Sequence, residues 1–418
     1  MKNYLLIFLT LLPLIAPAGE LTVAERNAQQ GFNDTIDRLA EDFVEAYVSI
    51  AEPGDYLYTT LGHAAYHLKC PTFNLDYYFT MEGESSKDAV FRFLAGDLKM
   101  GLVSLTPEEY LQYYKEENRG VREWKLNLSP QDKQRLWELL DRHTRDWSNL
   151  PYDYYHRCCA ITIVNIMNEL VGRENIHYAL PWPEKFKRTP REIIYYALKG
   201  HDEWTQFFIC ILAGNEVDKN IPKERKFIVP NDVVEAWQKA TLNGKPLLSE
   251  EYVDILPPGA RKPDSWWTPT HLGIFLLFLA LLSLCSVWIR GTWVKVVGKI
   301  VDVSILSIVT LIGVGMTYLL FVSDLCCTDW NWLYVAFNPL PAIFWYWRKY
   351  WALPYVAVMI IWIFAMIFVP HLLALSSHIV LIIAFIVVLL KQYFAKNQGK
   401  RIFPRGDSSY IMSKTHRI

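Results

Sequence analysis

The chain has 418 residues, a formal net charge of −1, and a hydrophobic content of 52% that includes 16 Trp. Balanced charge leaves no basic stripe to attract nucleic acid, and the apolar excess is high for one soluble domain. That excess is unevenly placed, which points to a membrane-embedded part.

Residues 1–18 read as a secretory signal peptide. Lys2 is the positive flank, Tyr4 to Ile15 the apolar run, and Ala16-Pro17-Ala18 the small-residue cleavage site. The apolar run is short for an uncleaved anchor. No Cys follows it, so it does not read as a lipoprotein signal. The rest of the chain is expected to enter an extracytoplasmic space.

Seven cysteines follow, at 70, 158, 159, 210, 285, 326 and 327. An odd count leaves at least one thiol without an intrachain partner. Adjacent cysteines rarely bridge each other, because the disulfide strains the peptide between them. There is no C-x-x-C spacing, so no structural zinc site and no cofactor are expected.

Residues 19–200 are expected to form the main soluble domain. After a polar amphipathic stretch at about 24–42, EAYVSIAEPGDYLYTTLGHAAYHLK reads as strand, turn, strand. FNLDYYFTME reads as a further strand. LSPQDKQRLWELLDRHTRDW (128–147) reads as a helix capped at Ser129 with Pro130 in its first turn. CCAITIVNIMNELVG reads as a second helix stopped by Gly172. Residues 201–265 read as a helix, a polar loop and a helix in a supporting subdomain. The class is α+β, followed by an all-α membrane domain at 266–394 and a tail at 395–418.

The membrane domain divides into five apolar segments: Pro269–Ile289, Ile300–Val322, about Leu333–Trp347, Leu353–Leu373 and Ser377–Phe394. The third is short and carries Pro339 and Pro341, as a kinked or re-entrant helix would. The loops between segments alternate. Arg290, Lys295 and Lys299 are followed by Asp324 and Asp329, then Arg348 and Lys349, then His371 and His378, then a Lys/Arg-rich tail. Five spans with basic loops in the cytoplasm give this alternation. It puts the soluble domain outside, in agreement with the signal peptide. Trp266, Trp267, Trp330, Trp332, Trp345, Trp347 and Trp351 fall at the expected interfaces.

Chemistry centres on YDYYHRCCAITIVN (152–165). Either thiol would lie at a helix N-terminus, where free N–H groups and the helix dipole favour a thiolate. Cys159 is four residues before apolar Ile163, on the packed side. Cys158 is four before Thr162, on the polar side. The competing reading is two small residues closing a helix start, and the residues alone favour it. A base is offered by LGHAAYHL, whose His63 and His67 share one strand face across Ala65. His143, placed on a surface helix, and His156, in a loop, are lesser candidates. Asp76, Tyr78, Thr80 and Glu82 share a face of the next strand. A hairpin setting Thr80 opposite His63 and Asp76 opposite His67 would let one of them orient an imidazole. Histidine on an early strand and cysteine on a later helix is the order of circularly permuted papain-like thiol enzymes.

EPGDYLYTTLGHAAYHL, EENRGVREWKLNLSPQ, YDYYHRCCAITI and DWNWLYVAFNPLP together resemble the Lnb family of lipoprotein N-acyltransferases from Bacteroidota. The resemblance covers nearly the whole chain. It implies an N-terminal periplasmic domain and a five-helix membrane domain in the inner membrane, with a cytoplasmic C-terminus. The family's G-H motif falls on Gly62-His63 and its E-N-R motif on Glu117-Asn118-Arg119. Its D-N-C motif falls on Arg157-Cys158-Cys159, departing at two positions, with Cys159 the matching cysteine and Cys158 in place of an Asn. The implied reaction moves an acyl chain from a membrane phospholipid, through a Cys159 thioester, to the α-amine of a diacylglyceryl-modified N-terminal Cys of a lipoprotein. His63 would move the protons. Backbone N–H groups at the helix start would hold the oxyanion, with Asn118, Arg119, Arg157 and Cys158 as further substrate or oxyanion contacts. For Arg119 and Arg157, pairing with a carboxylate is the commoner fate. Two rivals share the same residues. One is a membrane-tethered cysteine hydrolase, a lipase or peptidase. The other is a non-enzymatic assembly or transport protein, weakened by the scarcity of ionisable residues in the spans beyond Asp302.

Overall fold

Alternating apolar residues build the central sheet. The computed structural model describes residues 40–397 except 41–42, 57, 84–87, 179–181, 183–188, 223–224, 260–264, 290 and 369–375. The signal peptide, most of the 24–42 stretch and the tail beyond 397 lie outside the described residues. In chain order the first elements are β1 (Glu45–Ala51), β2 (His63–Cys70), β3 (Leu75–Gly83), α1 (Ala89–Ala95), β4 (Lys99–Leu105), α2 (Pro107–Glu116), β5 (Val121–Leu126), α3 (Pro130–Asp146), β6 (Leu150–Pro151) and α4 (Cys159–Val171). Then come β7 (Ile176–His177), α5 (Pro190–Leu198), α6 (Glu203–Leu212), α7 (Pro230–Gln238), β8 (Thr241–Leu242), β9 (Lys245–Pro246) and β10 (Leu248–Leu256).

The main sheet has the order β10-β5-β1-β2-β3-β4-β6, all neighbours antiparallel. Ala46, Val48 and Ile50 of β1 and Ala64, Tyr66 and Leu68 of β2 face α3 and α4, forming a core with Leu136, Trp137, Ile163 and Met167. The other face, with Ala51, Ala65 and Tyr78, is covered by Tyr110 and Tyr114 of α2. The two-residue strand period thus sends odd and even positions of β2 to different layers. Helix α3 starts at Ser129, whose Oγ accepts from the Asp132 N–H at 3.1 Å. Helix α4 stops at Gly172, φ +80°, as its sequence indicates. The 201–265 segment contains the expected helices α6 and α7, but it also contains β10, which joins the sheet edge beside β5. Its polar EEYVD sequence, without clean alternation, hid that strand.

The hairpin register differs from expectation by two residues. Ala65 faces Thr80, His67 faces Tyr78, and Lys69 faces Asp76. The connection Pro71–Phe73 forms one 3-10 turn closed by Asn74 at φ +51°, a short link that fixes the pairing. Because the shift is even, the side-chain faces stay as expected.

The C-terminal domain contains α8 (Pro269–Cys285), α9 (Thr292–Phe321), α10 (Leu340–Ile343), α11 (Arg348–Phe368) and α12 (Ser376–Asn397). Helices α9 and α12 are long and apolar enough to cross a membrane. Helix α8 is an apolar helix of 17 residues, and α11 runs 21 residues with Pro354 inside. The third segment is a broken path of 3-10 turns around the short α10 rather than one helix. It nevertheless runs from Asn331, which donates to the Ile211 carbonyl of α6, to Arg348, which bonds Gln392 of α12 near the opposite end of the bundle. Its freed backbone is satisfied internally. Asn338 Nδ2 donates to the carbonyls of Tyr334 and Val335, and Tyr355 donates to Val335. Irregular backbone at membrane depth is tolerated when it is enclosed this way. Lys391 and Asp302, 2.7 Å apart and buried, pair between α12 and α9.

Candidate active site

Gly62 closes a tight loop at 52–62, and His63 opens β2. Gly62 takes φ +88°, and a Cβ there would lie 2.9 Å from the Ala51 carbonyl oxygen. Only glycine fits, so the G-H pair sets the entry of His63 into β2. On the α3/α4 face, Tyr66 donates to the Ile163 carbonyl at 2.6 Å, fastening β2 to α4. This brings the N-terminus of α4 to the start of β2, where the Cys159 thiol interacts with the His63 side chain and the Ala64 backbone.

The pair is electrostatically tuned. Burial alone would lower the His63 imidazole, but the Cys159 charge and hydrogen bonds to Cys159 and Glu82 more than reverse this, and its pKa is raised. Burial alone would raise the Cys159 thiol, but the His63 charge, its hydrogen bond and backbone N–H groups outweigh that, and its pKa is lowered. Cys158 behaves oppositely. Burial and then the Cys159 charge push its thiol up to about 12. It donates to the Ile228 carbonyl at 3.8 Å. Thiolate character is what makes a cysteine nucleophilic, so the two neighbours are chemically distinct.

Helix phase had set Cys158 on a polar face. That placement is corrected: Cys158 packs between two apolar clusters, and Thr162 is buried too. Helix α4 is covered on more than one side, by the sheet and by α7, so a single amphipathic stripe does not describe it. Cys158 occupies the N-cap position without a side-chain cap bond.

Thr80 and Glu82 reach His63. Thr80 Oγ1 lies 2.5 Å from His63 Nε2 and itself donates to the Ala64 carbonyl at 3.1 Å. Thr80 therefore accepts from Nε2–H, which assigns that proton. Glu82 Oε1 lies 3.4 Å from the same nitrogen. Glu82 shares the strand face with Thr80, and the corrected register puts it across from His63. Tyr78 and Asp76 serve His67 instead. Buried His67 bonds Glu123 through Nδ1 at 2.8 Å and Asp76 through Nε2 at 2.6 Å, and Tyr78 donates to Glu123 at 2.7 Å while stacking on His67. His67 is thus tied into the layer under α2. His143, expected on a surface, is buried, stacks on Trp147 and bonds Glu169 at 2.8 Å.

The other named residues have different partners. Arg119 is buried, donates to the Glu52 carbonyl at 2.7 Å and to Glu117 at 2.8 Å, and stacks over Tyr114. Asn118 turns the chain at φ +54°. Both line a cleft with Glu52, Asp55 and Arg122. Arg157 donates to the Pro151 carbonyl at 3.1 Å.

A thiol–imidazole pair on a sheet-and-helix domain, continuous with an apolar helical bundle, defines a membrane-bound protein with a candidate thiol active site. Residues 36–191 match the family model of the Lnb N-terminal periplasmic domain, and residues 261–398 that of the Lnb transmembrane domain. Together they span more than half of the chain, which belongs to the Lnb family, membrane-associated enzymes of lipoprotein modification with a periplasmic N-terminal domain. Comparison with curated proteins and with solved structures gives no match.

Proposed function

We propose that this protein is a lipoprotein N-acyltransferase with Cys159 as nucleophile and His63 as its base, on a domain related to circularly permuted papain-like thiol enzymes. The observation that carries this reading is the electrostatic pairing of the Cys159 thiol with the His63 imidazole at the start of α4, just after a turn bonded to the apolar bundle through Asp153 and Cys326. With Nε2–H committed to Thr80 and Glu82, Nδ1 is the nitrogen left to take the thiol proton. The thiolate attacks the acyl ester carbon of a membrane phospholipid. The C–O bond breaks, the leaving alkoxide takes the proton from His63, and an acyl thioester remains on Cys159. The α-amine of a diacylated lipoprotein then attacks the thioester. His63 accepts the amine proton, the amide forms, and the thiol is regenerated with that proton. Backbone N–H groups at the start of α4 support the oxyanion in both steps.

Thr80 and Glu82 are positioning residues for His63. The bundle holds the site against the bilayer of the inner membrane, where both substrates reside, with the C-terminal tail in the cytoplasm. The test is the N-terminal mass of lipoproteins in cells lacking the protein and complemented with wild type or Cys159→Ala. Wild type restores the third acyl chain and Cys159→Ala does not. A hydroxylamine-labile acyl group on Cys159 marks the thioester. Product released as free fatty acid, with unchanged lipoprotein mass, identifies a hydrolase and overturns the reading.

A further inference from the structure

Beside the thiol pair lies a second cluster that the proposed chemistry does not use. His156 stands in the turn leading into α4, Glu216 in a 3-10 turn at Asn215–Asp218, and Cys327 in the loop after α9. Nε2 or Nδ1 of His156, a Glu216 carboxylate oxygen and the Cys327 sulfur all lie within 4.8 Å of one another. Donors bound tetrahedrally to one zinc at about 2.0–2.3 Å stand about 3.3–3.8 Å apart, so a small closure suffices. His156 Nε2 is already 3.7 Å from Glu216 Oε1.

The surroundings are those of a ligand site. Asp153 Oδ2 lies 2.9 Å from His156 Nδ1, which fixes the ring and leaves Nε2 directed at Glu216. A carboxylate behind a histidine is the usual support of a metal-bound imidazole. Buried Cys327 is held at φ +62°, a conformation that non-glycine residues rarely adopt. Two backbone bonds lock the ligand loops together, from Gly214 N–H to the Cys327 carbonyl at 2.7 Å and from Asn215 N–H to the Asp329 carbonyl at 3.0 Å. Cys326 adds a thiol 3.2 Å from Asp153 Oδ1.

We propose that His156, Glu216 and Cys327 bind one zinc-class divalent ion that clasps the lead-in of the catalytic helix to the loop between the second and third membrane segments. Thiolate, imidazole and carboxylate together suit zinc better than magnesium or calcium. Glu216 is 44% exposed, which leaves an entry path and an open fourth position for water. Cysteine spacing alone misses this site, because its ligands come from three separate segments.

The test uses full-length protein in detergent, loaded with Zn²⁺ and dialysed. Wild type and Cys159→Ala retain one zinc per chain, while His156→Ala and Cys327→Ser lose it. X-ray absorption of the wild-type zinc, which needs no variant, shows one sulfur at about 2.3 Å with nitrogen or oxygen at about 2.0–2.2 Å. With Co²⁺ in place of Zn²⁺, the thiolate-to-metal charge-transfer band is present in wild type and absent in Cys327→Ser. Wild-type protein that retains no metal, or a metal shell lacking sulfur, overturns the proposal. So does zinc content unchanged in both variants. A wild type lighter by two hydrogens, with Cys326 and Cys327 joined, overturns it too.

Discussion

Replacing Glu82 by Gln removes a charge from one side of His63 while leaving the carbonyl oxygen in place. Glu82 Oε1 is 3.4 Å from His63 Nε2. Opposite charges at that separation attract by about 1 kcal/mol at the dielectric of water. Glu82 is 44% exposed, so the water end of the range applies. One pH unit corresponds to about 1.4 kcal/mol, so His63 in Glu82→Gln should titrate roughly 0.5–1 unit lower. The sign follows from the direction of each shift. His63 is raised, to about 10, with Glu82 among the causes, and Cys159 is lowered by the His63 charge. The thiolate–imidazolium pair therefore exists between the lowered Cys159 pKa and the raised His63 pKa. It is lost to protonation on the acid side and to imidazolium deprotonation on the alkaline side. At the acid limb His63 is charged with or without Glu82, so that limb stays where it is. The alkaline limb moves down. Two assays read the limbs: acyl transfer to a diacylated lipopeptide in lipid nanodiscs follows the alkaline one, and alkylation of Cys159 across pH, resolved by peptide mapping, follows the acid one, because the thiolate persists above the His63 pKa. Cys158, whose thiol is pushed up to about 12, stays unreacted in the second. An alkaline limb that does not move, or an acid limb that moves instead, refutes the assignment of Glu82 to His63.

Cys159→Ala should abolish acyl transfer while Cys158→Ala leaves much of it; equal loss in a transfer assay contradicts the division of the two thiols. Cys158→Asn should restore a side-chain cap to α4 worth about 0.5–1 kcal/mol, seen as a melting temperature higher by about 1–4 °C, with transfer retained. A lower melting temperature instead shows that the thiol's contact with Ile228 matters more. Gly62→Ala places a Cβ 2.9 Å from the Ala51 oxygen at φ +88°, so transfer should fall at least tenfold, about 1.4 kcal/mol in barrier terms, while Cys159 alkylation reports the displaced base.

The parts of the fold read most directly from the sequence were those with local chemical causes. Ser129-Pro130 opens α3, Gly172 closes α4, and the period-two pattern of His63, Ala65 and His67 sorts β2 into two layers. The thiol–histidine encounter was legible as residue types and chain order, and the family motifs narrowed it to Cys159 and His63. What stayed hidden depended on tertiary neighbours. The register of β2 and β3 is set by a 3-10 turn that no alternation pattern encodes; Thr80 still reaches His63 and Asp76 still reaches His67, but the shift adds Glu82 to the first and Tyr78 to the second. Cys158 sits four residues from a threonine, which suggested water, but the segment entering α7 supplies the Ile228 carbonyl and apolar cover from a distant part of the chain. His143 was placed on a surface helix, yet Glu169 and Trp147 enclose it. Arg119 followed the rule that a buried guanidinium finds a carboxylate, pairing with Glu117, whereas Arg157 bonds the Pro151 carbonyl instead.

The two domains meet through hydrogen bonds rather than through a linker alone. Ser323 donates to the Leu94 carbonyl and Asp324 to Ala95 at the end of α1, while Asn331 donates to α6. Between these anchors, Cys326 donates to Asp153, which also accepts from the Tyr155 and His156 backbone in the turn that launches α4. The outer loop of the bundle is thus bonded to the residues that immediately precede Cys158 and Cys159. Near this junction, Val90 and Phe91 of α1 remain 64% and 75% exposed, while Phe93 of the same helix packs on Tyr152 and Tyr154. Large exposed apolar side chains beside a membrane loop suit contact with a bilayer surface better than contact with water. A thiol acting on water-soluble esters would gain nothing from this attachment. Under the proposed transfer, whose donor and acceptor both keep their acyl chains in the bilayer, it would tie the nucleophile to the apolar bundle, the positioning on which such a reaction depends.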